Sequence, residues 1–139
     1  MNLKRYLVLL ILLLCCSVSK AQSLNLQSDS IAWSVDGMTD LDADVTVPYQ
    51  CKFVTRGSQN VDWIQEDGNF VLQFSVTAIT GDWSNPAENG TITFSVNGEG
   101  LTGQLTISRS TDGLLATLHL SGGTHEINHK YPVASYEKI

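Results

Sequence analysis

Residues 125–129 read HEINH and match H-E-x-x-H, the signature of zinc proteases. In a helix, positions i and i+4 lie on one face about 6 Å apart, so both histidines can reach one metal ion. The flanking Gly122-Gly123 and Pro132 leave room for only about two helical turns, and no third ligand follows at the usual spacing. We therefore predict a β-strand, in which His125 and His129 lie about 13 Å apart, too far for one zinc ion. A metal-dependent hydrolase is the least favoured alternative, and we predict that the protein is not an enzyme.

Three aspartates alternate in the sequence TDLDADV, at Asp40, Asp42 and Asp44. Carboxylates this close repel one another unless a cation or water separates them, and calcium takes about six to eight oxygen ligands. An EF-hand would need glycine at its sixth position and glutamate at its twelfth, where this chain has Val45 and Cys51. The three aspartates are therefore weak calcium candidates, with a solvated acidic loop as the alternative, and we expect no other cofactor.

The dominant pattern in the chain is an alternation of apolar and polar residues, which is typical of half-buried strands. Turn dipeptides separate the alternating runs, among them Asp67-Gly68, Asn97-Gly98, Asp112-Gly113 and Gly122-Gly123. These signals predict about eight strands, over residues 31–35, 45–54, 60–65, 69–79, 91–97, 101–109, 114–120 and 124–131. Since the connections are mostly short hairpins, we predict an all-β meander that forms a small up-and-down barrel, with a two-sheet β-sandwich as the alternative.

The last three predicted strands can be aligned by assuming two-residue turns at Asp112-Gly113 and Gly122-Gly123. In this alignment Ile107 faces Leu118, Leu118 faces Ile127, and His119 faces Glu126. His125 and His129 then share the apolar face that points into the barrel. Our candidates for a ligand pocket are the inward-facing residues Trp63, Phe74, His125 and His129, and purely structural histidines are the alternative.

The N-terminus has the layout of a secretory signal peptide, with Lys4-Arg5 before an apolar run over residues 7–16. Small residues then precede a cleavage site near Ala21, so we predict a signal peptide over residues 1–21 and a single β domain over residues 22–139. The apolar run is shorter than the roughly 20 residues of a membrane-spanning helix. The expected location is secreted or periplasmic. Of the cysteines, Cys51 alone lies in the mature domain, which predicts a buried, inert thiol and no internal disulfide.

Removal of the signal peptide leaves five basic and fourteen acidic residues, a net charge of −9. Such a protein is a poor partner for nucleic acid or for an anionic membrane surface. We expect a non-enzymatic β domain that binds a small apolar ligand or an envelope protein, and a structural or adhesive surface module without a pocket is the alternative. A connected internal cavity would favour a small ligand, whereas a filled core with an exposed apolar patch would favour a protein partner.

Overall fold

The computed structural model describes residues 24–139 of the chain. They form one closed barrel of eight antiparallel strands, in which each strand pairs with the next and the last pairs with the first. The predicted all-β class and the up-and-down barrel are thus confirmed. The strands are β1 (Ser30–Asp40), β2 (Val45–Arg56), β3 (Asn60–Gln65), β4 (Phe70–Thr80), β5 (Gly90–Gly98), β6 (Leu101–Ser110), β7 (Gly113–Gly122) and β8 (His125–Lys138).

The part of the chain that the structure describes contains no helix that is long and apolar enough to cross a membrane. Its cysteine, Cys51, is free and buried, as predicted. The predicted signal peptide, residues 1–21, lies outside the described residues.

The core lies inside the barrel and is built from the inward-facing residues of the alternating strands. Directly opposed residues share a face of the sheet, so Phe53 and Trp63, which oppose each other on β2 and β3, both point inward. The ring centroids of Phe53 and Tyr131 lie 5.1 Å apart, and those of Trp63 and Tyr131 lie 6.3 Å apart. The fully buried Phe74 and Phe94 add to this group. Large aromatic side chains therefore fill the middle of the barrel.

The first strand is longer than the sequence indicated. The predicted strands 31–35 and 45–54 left residues 36–44 between them as a loop, but residues 37–40 continue β1 and pair with residues 45–48 of β2. A register shift between Val35 and Gly37 lets the strand continue past the irregular pairing. Asp40 Oδ1 accepts hydrogen bonds from the backbone N–H groups of Asp42 (3.0 Å) and Ala43 (3.1 Å), so an Asx turn closes the hairpin within residues 41–44.

Two of the predicted hairpin alignments are wrong by two residues. The turns are Thr111-Asp112 and Gly123-Thr124, so Leu118 opposes His129, and His119 opposes Asn128 instead of Glu126. Gly113, whose φ is 110°, follows the first turn as the opening residue of β7 and is not its second turn position. This is the usual place for a left-handed residue after a type I turn. Because the error is an even number of residues, every side chain keeps its predicted face.

One end of the barrel, which we call the capped end, holds the start of β1 and the turns 57–59, 81–89 and 111–112. The N-terminal segment, residues 24–29, folds over this end before it enters β1. Its Leu26 is fully buried in the core, and Gln27 Nε2 donates a 2.8 Å hydrogen bond to the carbonyl oxygen of Gly81. The segment is thus hydrogen-bonded to the β4–β5 loop and covers the core at the capped end.

Trp83 closes the remainder of the capped end from the β4–β5 loop. Its side chain is buried, and its indole N–H donates to the carbonyl oxygen of Glu88 at 2.9 Å. The indole lies so close to Gly90 that a β-carbon there would meet Trp83 Cδ1 at 2.0 Å. A glycine at the start of β5 is therefore needed for the tryptophan to pack.

Candidate functional site

The opposite end of the barrel, which we call the open end, holds the turns 41–44, 66–69, 99–100 and 123–124. Here the wall is uneven because β3 is only 6 residues long, whereas β2 has 12. The pairing of β2 with β3 ends at Cys51 and Gln65. Within residues 24–139, the segment 45–50 of β2 therefore has only β1 as a neighbouring strand: residues 45–48 pair with β1, and residues 49–50 lie at the register shift of that ladder. One edge of this segment, which we call the β2 edge, is left without a neighbouring strand.

Apolar side chains are exposed around this gap. Val45 and Val47 continue the inward-facing row of β2, yet they are 50% and 36% exposed. Phe70, which opposes the inward-facing Gln65 at the start of β4, is 49% exposed. Leu41 in the β1–β2 turn is exposed as well. The two valines and Phe70 point toward the barrel axis but lie above the filled core, and together with Leu41 they form the exposed apolar surface of the open end.

A polar group lies just beneath this surface. The Tyr131 hydroxyl and His129 Nδ1 share a hydrogen bond of 3.0 Å, and His129 Nε2 faces Asp40 Oδ2 at 3.9 Å. This arrangement suits the histidine tautomer that carries its proton on Nε2. Beside it, the Tyr49 hydroxyl donates to Gln65 Oε1, and the Tyr49 and Tyr131 ring centroids are 6.3 Å apart. The group therefore connects β1, β2, β3 and β8 at the mouth of the barrel.

The tyrosines and Cys51 of this group are poor acids. Burial raises the pKa of Tyr131, and the neighbouring Cys51 and Tyr49 raise it further. Burial also raises the pKa of Tyr49 and raises that of the Cys51 thiol to about 11, although the Trp63 indole beside the sulfur opposes the latter shift. All three groups are neutral at physiological pH, so they offer neutral hydrogen-bonding and contact surfaces and no reactive thiolate or phenolate.

Trp63 differs from the other two tryptophans. Trp33 Nε1 donates to Thr55 Oγ1 at 3.0 Å and Trp83 Nε1 donates to a backbone carbonyl, but the buried Nε1 of Trp63 has no hydrogen-bond partner within residues 24–139. The Cys51 thiol, a weak acceptor, lies beside this indole. A buried donor without an acceptor costs about 1–3 kcal/mol. This indole N–H is therefore a position where an acceptor atom of a bound group would be stabilised.

The turns of the open end are acidic and strained. They contain Asp42, Asp44, Glu66, Asp67 and Glu99, and no lysine or arginine. Four of these five residues have a positive φ between 51° and 55°. In the described part of the chain, these are the non-glycine residues with a positive φ, and none lies at the capped end. Backbone strain of this kind costs on the order of 1 kcal/mol per residue and clusters at functional sites.

A groove of about 590 Å³ lies on the outside of the barrel beside the β2 edge. It is formed by the outer surfaces of β1 and β2 and by the β3–β4 turn, with Gln50 at its border with the edge segment. Its charged lining residues are Asp36, Lys52 and Asp67. The groove lining therefore contains two carboxylates and one cation.

The four pocket candidates from the sequence lie at different levels of the barrel. Trp63 and Phe74 are buried in the aromatic core, and His129 is half-buried in the polar group above it. His125 is exposed at the rim, where it opposes Gly122. Tyr131 connects His129 to Trp63, but neither the outer groove nor the smaller depression at the capped end is lined by any of the four. Their role in ligand binding stays a prediction.

The three calcium candidates are engaged in the β1–β2 hairpin. Asp40 accepts hydrogen bonds from two backbone N–H groups, which holds its pKa below the usual value. Asp42 accepts a 3.2 Å hydrogen bond from the side chain of Asn128 on β8. Among residues 24–139, no group of three or more histidine, cysteine or acidic side chains has the arrangement of a metal site. The calcium prediction therefore gains no support, and a structural role in the turn accounts for Asp40.

The residues of the open end that the sequence did not single out are Tyr49, Gln65, Phe70 and Tyr131. All four lie on the inward face of strands that were predicted, so the alternation already placed them on one surface. The signal for the gap was the unequal length of the predicted strands 45–54 and 60–65, because a long strand beside a short one leaves an edge free.

A comparison of the chain with models of protein families, with curated proteins and with solved structures found no match.

Proposed function

We propose that this protein is a secreted or periplasmic, non-enzymatic binding module whose open end binds an apolar segment of a partner protein of the cell envelope. The observation that carries the proposal is the exposure of inward-facing apolar side chains at one end of a barrel whose core is filled. Val47 and Phe70 would lose their exposed area on binding, at a gain of about 25 cal/mol per Å² of apolar surface. A filled core with an apolar surface at one end is suited to another protein better than to an enclosed ligand.

The strained acidic turns support the same site. Selection for stability alone would place glycine or asparagine at positions with a positive φ, as it does in most tight turns. Glu66 and Glu99 occupy such positions only at the open end. Since these carboxylates are present despite the strain of a positive φ, we infer that they serve binding. Their negative charge fits recognition of a cationic partner.

A second candidate function is the binding of a small apolar ligand that carries a neutral hydrogen-bond acceptor. One observation favours it, which is the buried N–H of Trp63 without an acceptor. Tyr49, Tyr131 and Cys51 would surround the ligand with neutral groups, and the ligand would have to displace side chains from the filled interior. This last requirement ranks it below the binding of a protein segment.

Peptide selection tests the leading proposal. A library of displayed peptides is selected against the mature domain, residues 22–139, and the dissociation constants of the enriched peptides are measured with purified variants. We expect Val47→Glu at the open end to weaken binding at least about tenfold, because a charge replaces buried apolar surface. Ile139, which is 58% exposed at the capped end, provides the matched control, and Ile139→Glu should leave binding unchanged.

Other outcomes of this experiment separate the candidates. If no peptide is enriched, or if Val47→Glu and Ile139→Glu have equal effects, the open end is not a polypeptide site. Small-ligand binding predicts instead that an uncharged apolar dye, such as Nile red, binds the native barrel and that Trp63→Phe weakens its binding.

A further inference from the structure

We infer that the partner segment binds as an added β-strand along the β2 edge, residues 45–50, and that this segment carries basic residues beside apolar ones. The inference rests on the proposed function and specifies both the mode of binding and the chemistry of the partner. Three observations carry it: the absence of a neighbouring strand, the apolar residues along the segment, and the charges around it.

The backbone of the β2 edge supplies the first observation. Residues 45–48 pair with β1 on one side, and residues 49–50 lie at the register shift of that ladder. On the other side the ladder with β3 stops at Cys51. A strand with one free side presents unpaired N–H and C=O groups, which is the usual template for strand addition. The segment has six residues, so an added strand of about 20 Å would match it.

The side chains along this edge supply the second observation. Val45 and Val47 point inward, toward the apolar surface of the open end, and Thr46 and Gln50 point outward. An added strand would therefore place alternate side chains against Val47 and Phe70. Its remaining side chains would lie on the outer side, next to the groove that Gln50 borders.

The charges supply the third observation and identify the partner. Asp42 and Asp44 lie in the turn at one end of the edge segment, and Glu66 and Asp67 lie in the turn at its other end. The outer groove adds Asp36, against the single cation Lys52. Lysine or arginine at the outward positions of the partner strand would be attracted to these carboxylates, whereas acidic residues would be repelled.

The same charges disfavour a second copy of this chain as the occupant. Pairing of two β2 edges around a twofold axis would bring the acidic turns of both copies together. Pro48 also lies in the segment and has no N–H group, so any strand that is added here, from a second copy or from another partner, forms its backbone hydrogen bonds with the other residues of the edge. The geometry thus points to a different, basic segment.

Synthetic peptides test this mode of binding. The probe is an alternating lysine–valine peptide of about eight residues, and an alternating glutamate–valine peptide is the charge control. Two further lysine–valine peptides are methylated on the backbone nitrogen of either all valines or all lysines. Because alternate N–H groups point to the same edge of a strand, each methylated peptide is blocked on one edge only. We expect the unmodified lysine–valine peptide to bind, the glutamate–valine peptide not to bind, and one methylated peptide to lose at least about tenfold in affinity while the other retains it.

Variants of the protein complete the test. Asp42→Asn combined with Asp44→Asn should weaken the lysine–valine peptide severalfold, since asparagine keeps the turn geometry but removes the charge. Asp112→Asn at the capped end is the matched control and should have no effect.

The outcomes distinguish this inference from the proposed function. Binding that Val47→Glu abolishes but that neither methylation pattern affects keeps the open end as the binding site and overturns strand addition. Failure of the lysine–valine peptide to bind, while library peptides still bind at Val47, overturns the basic character of the partner. A stable dimer in sedimentation equilibrium that Val47→Glu disrupts would identify a second copy as the occupant and overturn the inference as well.

Discussion

The two ends of this barrel differ in whether the apolar side chains at the mouth are covered. At the capped end, Leu26 and Trp83 enter the mouth from outside the strands and are buried there. At the open end, Val47 and Phe70 lie on the strands themselves and remain exposed, with no segment of residues 24–139 folded over them. The first arrangement buries apolar side chains and stabilises the fold, whereas the second leaves apolar surface exposed, which is the surface that we propose binds a partner.

The charges differ in the same way. The cations at the capped end are engaged, since Arg56 pairs with Asp62, Arg109 Nε donates to the carbonyl oxygen of Pro86, and Lys138 lies 3.4 Å from Asp29. The turns of the open end contain acidic residues with no lysine or arginine among them. Turns at the capped end place glycine at positive φ, as at Gly57 and Gly81, whereas the open end also uses acidic residues. The charges of the capped end are therefore paired within the fold, and the acidic turns of the open end are the ones that the proposed partner would contact.

The largest expected effect concerns the cap. Trp83→Ala removes a buried indole and should lower the free energy of unfolding by about 3–5 kcal/mol. Phe70→Ala at the open end should cost less than about 1 kcal/mol, because half of that ring is already in contact with water. Urea unfolding of both variants, followed by circular dichroism, measures the difference. Equal losses would mean that the two ends contribute alike and that the contrast between them is wrong.

Trp83 and Phe70 also show which features of the fold can be predicted from the sequence and which cannot. The alternation of apolar residues predicted the barrel and the face of each side chain, because an error of two residues in register leaves the faces unchanged. Phe70 belongs to such a strand, so its direction was predictable. Trp83 and Leu26 lie in segments that read as loops, and no local pattern indicates that a loop side chain will fold back onto the core.

The candidate site was predictable only in part, for a related reason. His129 and Trp63 were identified from their faces, but their link through Tyr131 depends on the pairing of β8 with β7 and on closure of the barrel by β1. Asp36 to Asp44 read as a loop because acidic residues and glycine disfavour strands. Pairing with β2 and β8 extends β1 through this region, and this pairing cannot be predicted from the local sequence.

A smaller effect is expected from the polar group at the mouth. Tyr131→Phe removes the hydroxyl that bonds to His129 Nδ1 and should cost about 1 kcal/mol of stability. Tyr49→Phe is the matched change on the neighbouring strand, and it should cost less because Tyr49 is only partly buried. Chemical denaturation measures both changes. A larger loss for Tyr49 than for Tyr131 would show that the half-buried ring, and not the fully buried one, anchors this group.

The strain at the open end predicts a gain in stability. Glu99→Gly should raise the free energy of unfolding by about 0.5–1 kcal/mol, since glycine adopts a φ of 55° without steric cost. Glu99→Ala removes the same charge but keeps a β-carbon, so it should not stabilise. Thermal unfolding of the two variants separates strain from charge. If both variants are equally stabilised, repulsion among the acidic turns and not backbone strain is the cost at this end.

The smallest expected effect compares one aspartate from each end. Asp29 accepts a hydrogen bond from the backbone N–H of Asn25 and lies beside Lys138, and Asp40 accepts from the N–H groups of Ala43 and Asp42, so both have a pKa below the ordinary value of 3.8. A carboxyl whose pKa is lower in the folded state contributes stability that is fully present above its unfolded pKa and disappears as the pH falls through its folded pKa. Asp29→Asn and Asp40→Asn should therefore lower the urea midpoint at about pH 6. Each substitution should lose its effect as the pH falls below the ordinary aspartate pKa and through the lower pKa of the folded state.

Salt distinguishes the two aspartates. The ion pair of Asp29 with the exposed Lys138 ammonium is screened at about 1 M salt, so the effect of Asp29→Asn should become smaller there. The effect of Asp40→Asn, which depends mainly on backbone hydrogen bonds within the turn, should persist. Urea midpoints of both variants and the wild type, measured with and without salt, check this difference. If salt reduced the effect of Asp40→Asn as much as that of Asp29→Asn, the backbone hydrogen bonds of Asp40 would not be its main contribution, and the contrast between the two ends would be wrong.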